Sequence, residues 1–128
     1  PDHTPNFGGE MIPYFGIPLA TSNLSAKLIQ KTKAKTLFLY AMRNDNHGFD
    51  MHIEPIDYRI YQGNPNQGTA VILAAIENLI RRYPEHYHWS YKRFKANPAL
   101  DHLYHLNTDE ALKLFEDVRR QDAQTKII

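Results

Sequence analysis

The hydrophobic pattern along this 128-residue chain changes its period several times. Residues 1–22 show no period, and their prolines and glycines are interleaved with aromatic residues, which predicts a packed irregular segment. Ser22 is a residue type that caps helix N-termini. After Ser22, apolar residues recur at helical spacing, and a lysine-rich stretch follows them. This pattern predicts a helix over residues 22–33, with its cations near the C-terminus.

Two β-type runs come next. Thr36–Met42 is a continuous apolar run rich in β-formers, which predicts a strand buried on both faces. Phe49–Pro55 alternates apolar and polar residues, which predicts a half-exposed strand. The turn-forming residues 43–48 between them predict a hairpin, and residues 56–68 read as a polar loop.

The strongest helical period spans residues 69–83. Pro84 either ends this helix or begins a second short one. Thr108 is the predicted cap of a last helix that is charged on one face. The chain therefore reads as mixed α/β with only two strands. Since a buried strand needs neighbours on both edges, this deficit predicts that sheet partners are missing.

Composition narrows the class of protein. Apolar residues make up 42% and charged residues 23%, which is typical of a folded domain. The absence of cysteine excludes disulfides and thiolate zinc sites, and no apolar run is long enough to cross a membrane. The net charge of +1 gives no field that would favour nucleic acid. Because the chain starts at Pro1 rather than Met, we expect it to be part of a longer, processed or cut protein.

One segment, residues 76–95, has a local basic bias and many aromatic residues. Its cations are Arg81, Arg82, Lys92, Arg93 and Lys95, against two glutamates. Its aromatic–basic block, residues 83–95, could bind phosphates or a membrane surface, or stack on single-stranded bases. The alternative is a helix with an aromatic core face and a solvated basic face.

In chain order, several segments resemble one family. They are FGGEMIPYFGIP, ATSNLSAKLIQKTKAKTLFLYAMR, DMHIEP and GTAVILAAIENLIRRYPEHYHWSYKRFK. Together they resemble the C-terminal half of the lipid A biosynthesis acyltransferases, in the late lauroyl/myristoyl group. The resemblance covers residues 1–97 and does not extend into the tail at 98–128, so we expect an acyltransferase part and a helical tail.

The resemblance implies a fold and a function. The fold is the C-terminal part of a lysophospholipid-acyltransferase-like α/β fold, a mixed sheet flanked by helices, with an extra C-terminal helix here. The function is transfer of a fatty acyl chain from acyl carrier protein to a hydroxyl of a lipid A precursor in lipopolysaccharide biosynthesis. The intact protein is expected on the cytoplasmic face of the inner membrane of a Gram-negative bacterium, without a cofactor or metal.

The resemblance also places residues. The family's catalytic His-x4-Asp/Glu pair lies upstream of the acidic segment to which Asp2 corresponds, so no catalytic residue is expected in this chain. The expected substrate-side residues are Asp2, Arg43, Trp89 and Arg93. We therefore expect no activity from this chain alone, and self-association through the hairpin edge or apolar surface that the missing half would cover.

Other histidines fit active-site patterns by spacing alone. His52 and Asp57, and His105 and Glu110, match the His-x4-carboxylate spacing, but such pairs arise easily by chance. His86-x-His88 and His102-x-x-His105 could be metal ligands, although residues two apart on a helix point away from each other. Surface or core-edge histidines are the simpler interpretation.

Two other classes of function stay open. The first is a non-enzymatic basic-aromatic module that binds nucleic acid or anionic lipid, although positive charge is in excess only over residues 76–95. The second is a small scaffold whose last amphipathic helix docks a partner. For that helix, folding back on its own core is the simpler interpretation.

Overall fold

The computed structural model describes residues 3–5 and 8–125. Within them the chain is mixed α/β, with two separate two-stranded antiparallel sheets. The strands and α-helices are β1 Glu10–Tyr14, β2 Ile17–Thr21, α1 Leu24–Thr32, β3 Leu37–Arg43, β4 Phe49–Pro55, α2 Pro65–Arg82 and α3 Thr108–Thr125. Short 3₁₀ turns fill much of the rest, at Tyr58–Tyr61, Pro84–His86, Trp89–Tyr91, Arg93–Ala96, Pro98–Leu100 and Leu103–His105.

The chain divides into two compact units. Unit 1 joins Pro1–Ser22 to Trp89–Ile128, and unit 2 is Asn23–His88. No helix in the described part of the chain is long and apolar enough to span a membrane.

Unit 1 contains the β1–β2 hairpin, where the sequence had predicted an irregular segment. Phe15 and Gly16 form its turn with φ of 50° and 76°, the left-handed geometry that fits the twist of a two-residue hairpin. The prediction was wrong because Pro13 and Pro18, which pair with each other, made the stretch look like a loop. Such prolines are tolerated where strands are short and at an edge.

The core of unit 1 lies on one face of this hairpin. Alternate strand residues are buried, and turn residues and α3 supply the other core side chains: Ile12, Tyr14, Ile17, Leu19, Ala96, Leu100, Leu103 and Val118. At the start of α3, the Asn107 side chain accepts a hydrogen bond from the Glu110 backbone N–H, and Glu110 Oε2 accepts one from the Asn107 backbone. Asn107, rather than the predicted Thr108, therefore caps the helix.

Unit 2 is built on the packing of α1 against α2. The predicted first helix is confirmed, but the cap is not, because Asn23 rather than Ser22 precedes it and makes no side-chain capping bond. Gln30 of α1 holds the loop before α2, since its Nε2 lies 3.1 Å from the carbonyl oxygens of Ile60 and Gln62. Packing, rather than capping, therefore positions α1.

Helix α2 begins earlier than predicted. Asn64 and Gln67 form a capping box, in which each side chain accepts a bond from the other's backbone N–H, and Pro65 occupies the first turn. The sequence interpretation treated these residues as a loop because they are polar. As predicted, Pro84 follows the helix and begins a short 3₁₀ turn.

The predicted hairpin β3–β4 is confirmed, but β3 is not buried on both faces. In the register, Leu37, Leu39 and Ala41 face Pro55, Ile53 and Met51 across the strands. These residues, with Phe49, form the outer face of the hairpin, where Leu39 is 57% and Ile53 is 63% exposed. A two-stranded sheet packed on one face leaves the other uncovered, which the apolar composition alone could not reveal.

Candidate functional site

Arg93 is the most buried charged residue of the described chain, at 2% exposure. Its Nη2 donates a 2.8 Å hydrogen bond to Thr21 Oγ1, and its guanidinium lies 5.8 Å from the centre of the Tyr14 ring. The Thr21 hydroxyl donates its own proton to the Leu19 carbonyl, which leaves the oxygen lone pairs for Arg93. Arg93 thus connects the segment after Trp89 to the β1–β2 hairpin.

The residues around Arg93 form short 3₁₀ turns. The predicted alternative of a helix with an aromatic core face is therefore wrong. Tyr91 Oη accepts a 2.8 Å hydrogen bond from the Thr4 backbone, and Lys95 Nζ lies 5.6 Å from the Tyr91 ring centre. Burial raises the pKa of the Tyr91 hydroxyl, but the hydrogen bond from Thr4 and the charges of Lys95 and Arg93 outweigh it, and the net pKa is lowered.

Trp89 lies at an apolar groove of unit 1 and is 57% exposed. The groove has a volume of about 290 Å³. Its lining comprises Phe15, Ile17, Trp89, Phe94, Leu112, Phe115, Glu116 and Arg119. We call this the Trp89 groove.

The other predicted substrate residues lie elsewhere. Arg43 is exposed at the end of β3 in unit 2, with its guanidinium 5.5 Å from the Phe49 ring centre. Asp2 lies outside the described residues. The structure places Trp89 and Arg93 in one unit and Arg43 in the other. Contact of these four residues with substrate stays a prediction.

A polar cluster on the inner face of the β3–β4 hairpin was not predicted. Glu54 accepts two hydrogen bonds from Arg82, at 3.0 and 3.1 Å, and one of 2.6 Å from the Tyr40 hydroxyl. The bonds from Arg82, and then that from Tyr40, hold the pKa of Glu54 below its ordinary value. The bond to Glu54 chiefly raises the pKa of Tyr40, whose ring stacks on His52 at 4.9 Å. The alternation of β4 indicated a polar face, but not the partner on α2.

Neither His-x4-carboxylate pair is assembled as a dyad. Among the described residues, no hydrogen bond or ion pair joins His52 to Asp57, or His105 to Glu110. Asp57 instead accepts bonds from Arg59, whose side chain first and backbone second hold the Asp57 pKa at about 2.

Two of the other histidines each lie near a single carboxylate. His86 is 3.7 Å from Glu85, and His102 is 3.0 Å from Asp101. Within residues 3–5 and 8–125, no three His, Asp or Glu side chains are close enough together to hold a metal ion.

Comparison with known proteins identifies the family. The bacterial lipid A biosynthesis acyltransferase family matches residues 1–96, and the chain belongs to this family. The matched part contains both hairpins, α1, α2 and the 3₁₀ turn Arg93–Ala96, which we call the Arg93 segment, whereas α3 lies beyond it. The predicted domain boundary after residue 97 stays a prediction.

Two curated relatives are similar over the same stretch. One is the lipid A biosynthesis palmitoleoyltransferase of Escherichia coli (strain K12), and the other is a lipid A biosynthesis acyltransferase of Shigella flexneri. Each is 32% identical over 94 residues, which is 72% of this chain and 30% of the relative. The chain thus spans less than a third of the length of these relatives. The predicted resemblance is confirmed.

Proposed function

We propose that this chain is the C-terminal half of an acyltransferase domain with a lysophospholipid-acyltransferase-like fold. The intact protein transfers a fatty acyl chain from acyl carrier protein to a hydroxyl of a lipid A precursor. The observation that carries this proposal is the family match over residues 1–96. The uncovered outer face of the two-stranded β3–β4 sheet supports it, because such a sheet gains stability when further strands or helices join it.

The chemical step requires a base outside this chain. A histidine oriented by a carboxylate, upstream of Asp2, removes the proton from the acceptor hydroxyl as its oxygen attacks the thioester carbonyl. A C–O bond forms, the C–S bond breaks, and the carrier thiol leaves with a proton. This chain contributes no group to that step in our proposal.

Substrate contacts are the proposed role of the residues in this chain. Arg43 supports this role best, because its guanidinium is exposed and a guanidinium binds phosphate oxygens through paired N–H groups. Trp89 offers an exposed aromatic surface. Asp2 and Arg93 are included only because of the family resemblance, and the Arg93 side chain is buried against Thr21. The exposed Lys92 and Lys95 suit an acidic partner, either the acyl carrier protein or anionic headgroups on the cytoplasmic face of the inner membrane.

Mass spectrometry of the acceptor lipid tests the proposal. We expect the protein with its upstream residues to add the mass of one acyl chain to a lipid A precursor when acyl carrier protein carries that chain. We expect the 128-residue chain alone to add none. Turnover by the 128-residue chain would show that the catalytic pair is not upstream, and no transfer by the intact protein would refute the function.

A matched pair of variants tests Arg43 in the intact protein. Arg43→Ala should raise KM for the lipid acceptor, whereas Lys35→Ala, an exposed cation beyond the other end of the same strand, should leave KM unchanged. Equal effects of the two substitutions would point to general charge rather than a contact by Arg43.

A further inference from the structure

The Trp89 groove is made jointly by the family part of the chain and by the tail. Phe15, Ile17, Trp89 and Phe94 belong to the matched residues 1–96, and α3 supplies the other lining residues, Leu112, Phe115, Glu116 and Arg119. Helix α3 lies beyond the matched residues. The groove therefore joins the family-matched part of the chain to residues outside the match.

Contacts between the family-matched residues and α3 fix the walls of the groove. Phe94 meets Phe115 edge to face, with ring centres 4.9 Å apart. Arg119 Nη2 donates a 2.6 Å hydrogen bond to the carbonyl of Phe15 in the hairpin turn. Helix α3 is thus attached to the hairpin turn at one point and to the Arg93 segment at another.

The lining favours a hydrocarbon ligand. Six of the eight lining residues are apolar or aromatic. The volume of about 290 Å³ lies near the lower end of the roughly 300–1,000 Å³ found for small-molecule pockets. Trp89 and Leu112 remain 57% and 58% exposed beside it, so apolar surface is available to a ligand.

The charges at the groove favour an anionic or polar head over a cationic one. Glu116 lies 3.3 Å from Arg120 and is thereby partly neutralised. Arg119 uses one N–H for the Phe15 carbonyl and has four others. A carboxylate or ester oxygen at the end of a hydrocarbon chain is the group that these N–H donors fit.

We propose that the Trp89 groove binds a single linear acyl chain, with its carbonyl end toward Arg119. The choice of an acyl chain rests on the proposed function, whereas the groove's shape and lining do not. The tail helix α3 then has a role, which is to complete an acyl-binding surface with the family part of the chain.

The single tryptophan of the chain makes a direct test possible. Decanoate, added below its micelle concentration, should shift the Trp89 emission to shorter wavelength and saturate, whereas butyrate at the same concentration should not. Methyl decanoate and S-decanoyl pantetheine separate a free fatty acid from an ester or a thioester source. Binding of all three would assign the acyl chain itself as the ligand.

Two matched variants locate the binding. Leu112→Gln removes an exposed apolar side chain at the groove and should weaken decanoate binding about tenfold, because the bound chain then buries less apolar surface. Leu39→Gln removes an equally exposed leucine from the β3–β4 outer face and should leave binding unchanged. Arg119→Gln should weaken decanoate more than methyl decanoate.

Three results would overturn the proposal. The first is no shift of the Trp89 emission with decanoate. The second is equal weakening of decanoate binding by Leu112→Gln and Leu39→Gln. The third is a Trp89 emission that depends only on protein concentration, which would assign the groove to a second copy of the chain. Acyl transfer by the intact protein is a separate measurement. If transfer fails but decanoate binds, the proposed function is lost and the groove assignment stands.

Discussion

Arg93 Nη2 and Thr21 Oγ1 lie 2.8 Å apart, although the two residues are separated by 72 positions in the sequence. Both side chains are buried. The bond therefore connects the end of the family-matched region to the end of β2. It also gives the buried Arg93 guanidinium a hydrogen-bond acceptor inside unit 1.

Replacing Thr21 by Val should destabilise unit 1. Valine keeps the shape but removes the acceptor, so a buried guanidinium N–H loses its bond, at a cost of about 1–3 kcal/mol. Urea unfolding measures this loss. Lys113→Ala, at an exposed cation of α3 that makes no hydrogen bond or ion pair within the described residues, is the control and should change the free energy of unfolding by less than about 0.5 kcal/mol. Equal stability of Thr21→Val and the wild type would show that the bond contributes nothing.

Glu54 should make stability depend on acidity. Its pKa in the folded chain is lowered from the ordinary 4.5, chiefly by Arg82. The unfolded carboxyl therefore binds more protons as the pH falls, so this contribution is present above about pH 4.5 and is lost as the pH drops through the folded pKa. Glu54→Gln should flatten the stability profile in that range.

Urea unfolding at a series of pH values checks the Glu54 prediction. Asp45→Asn is a suitable control, because among the described residues the Asp45 carboxylate makes no hydrogen bond or ion pair, and the profile of that variant should follow the wild type. Added salt should also weaken the Glu54 contribution, since the pair with Arg82 is partly exposed to solvent. A Glu54→Gln profile as steep as the wild type would contradict the prediction.

The Asn64 cap should matter for α2. Asn64→Ala removes the acceptor for the backbone N–H groups of Asn66 and Gln67, and the loss should destabilise unit 2 by about 1 kcal/mol. Asn78→Ala makes the same substitution at an exposed position within the helix and should be neutral or stabilising by up to about 0.7 kcal/mol. Thermal unfolding compares the two variants, and equal melting temperatures would refute the capping role.

The outer face of the β3–β4 hairpin should drive self-association of the chain. Burial of exposed apolar side chains is favourable, and the sheet edges are unpaired within the described residues. Leu39→Lys combined with Ile53→Glu places opposite charges on a directly facing pair and should leave the hairpin folded. Light scattering should then report a monomer in place of a larger species.

A control distinguishes this face from general hydrophobicity. Leu28 on α1 is also exposed, so Leu28→Lys changes a similar side chain away from the hairpin and should leave association intact. A monomeric wild type at high concentration, or a monomeric Leu28→Lys variant, would contradict the assignment.

Elements with a strong period or a distinct turn could be predicted from the sequence. Strand β4 was placed over Phe49–Pro55 as observed, and α1 within two residues, because alternation and helical spacing are local patterns. The β1–β2 hairpin could not be predicted in this way, since its prolines and glycines are also the composition of a loop. The predicted start of α2, at residue 69, lies after the observed start at Pro65, because the polar residues of its capping box resemble a loop in composition.

The same distinction between local patterns and long-range contacts applies to the candidate site. The sequence alone determined the family, through the order and spacing of segments up to Arg93, and the resemblance predicted Trp89 and Arg93 as substrate-side residues. Only the tertiary structure decided that Arg93 is buried against Thr21 whereas Trp89 is exposed at a groove completed by α3. Burial and partners depend on contacts between residues far apart in the chain, and no local pattern of residue types specifies which distant side chain a guanidinium or an indole will meet.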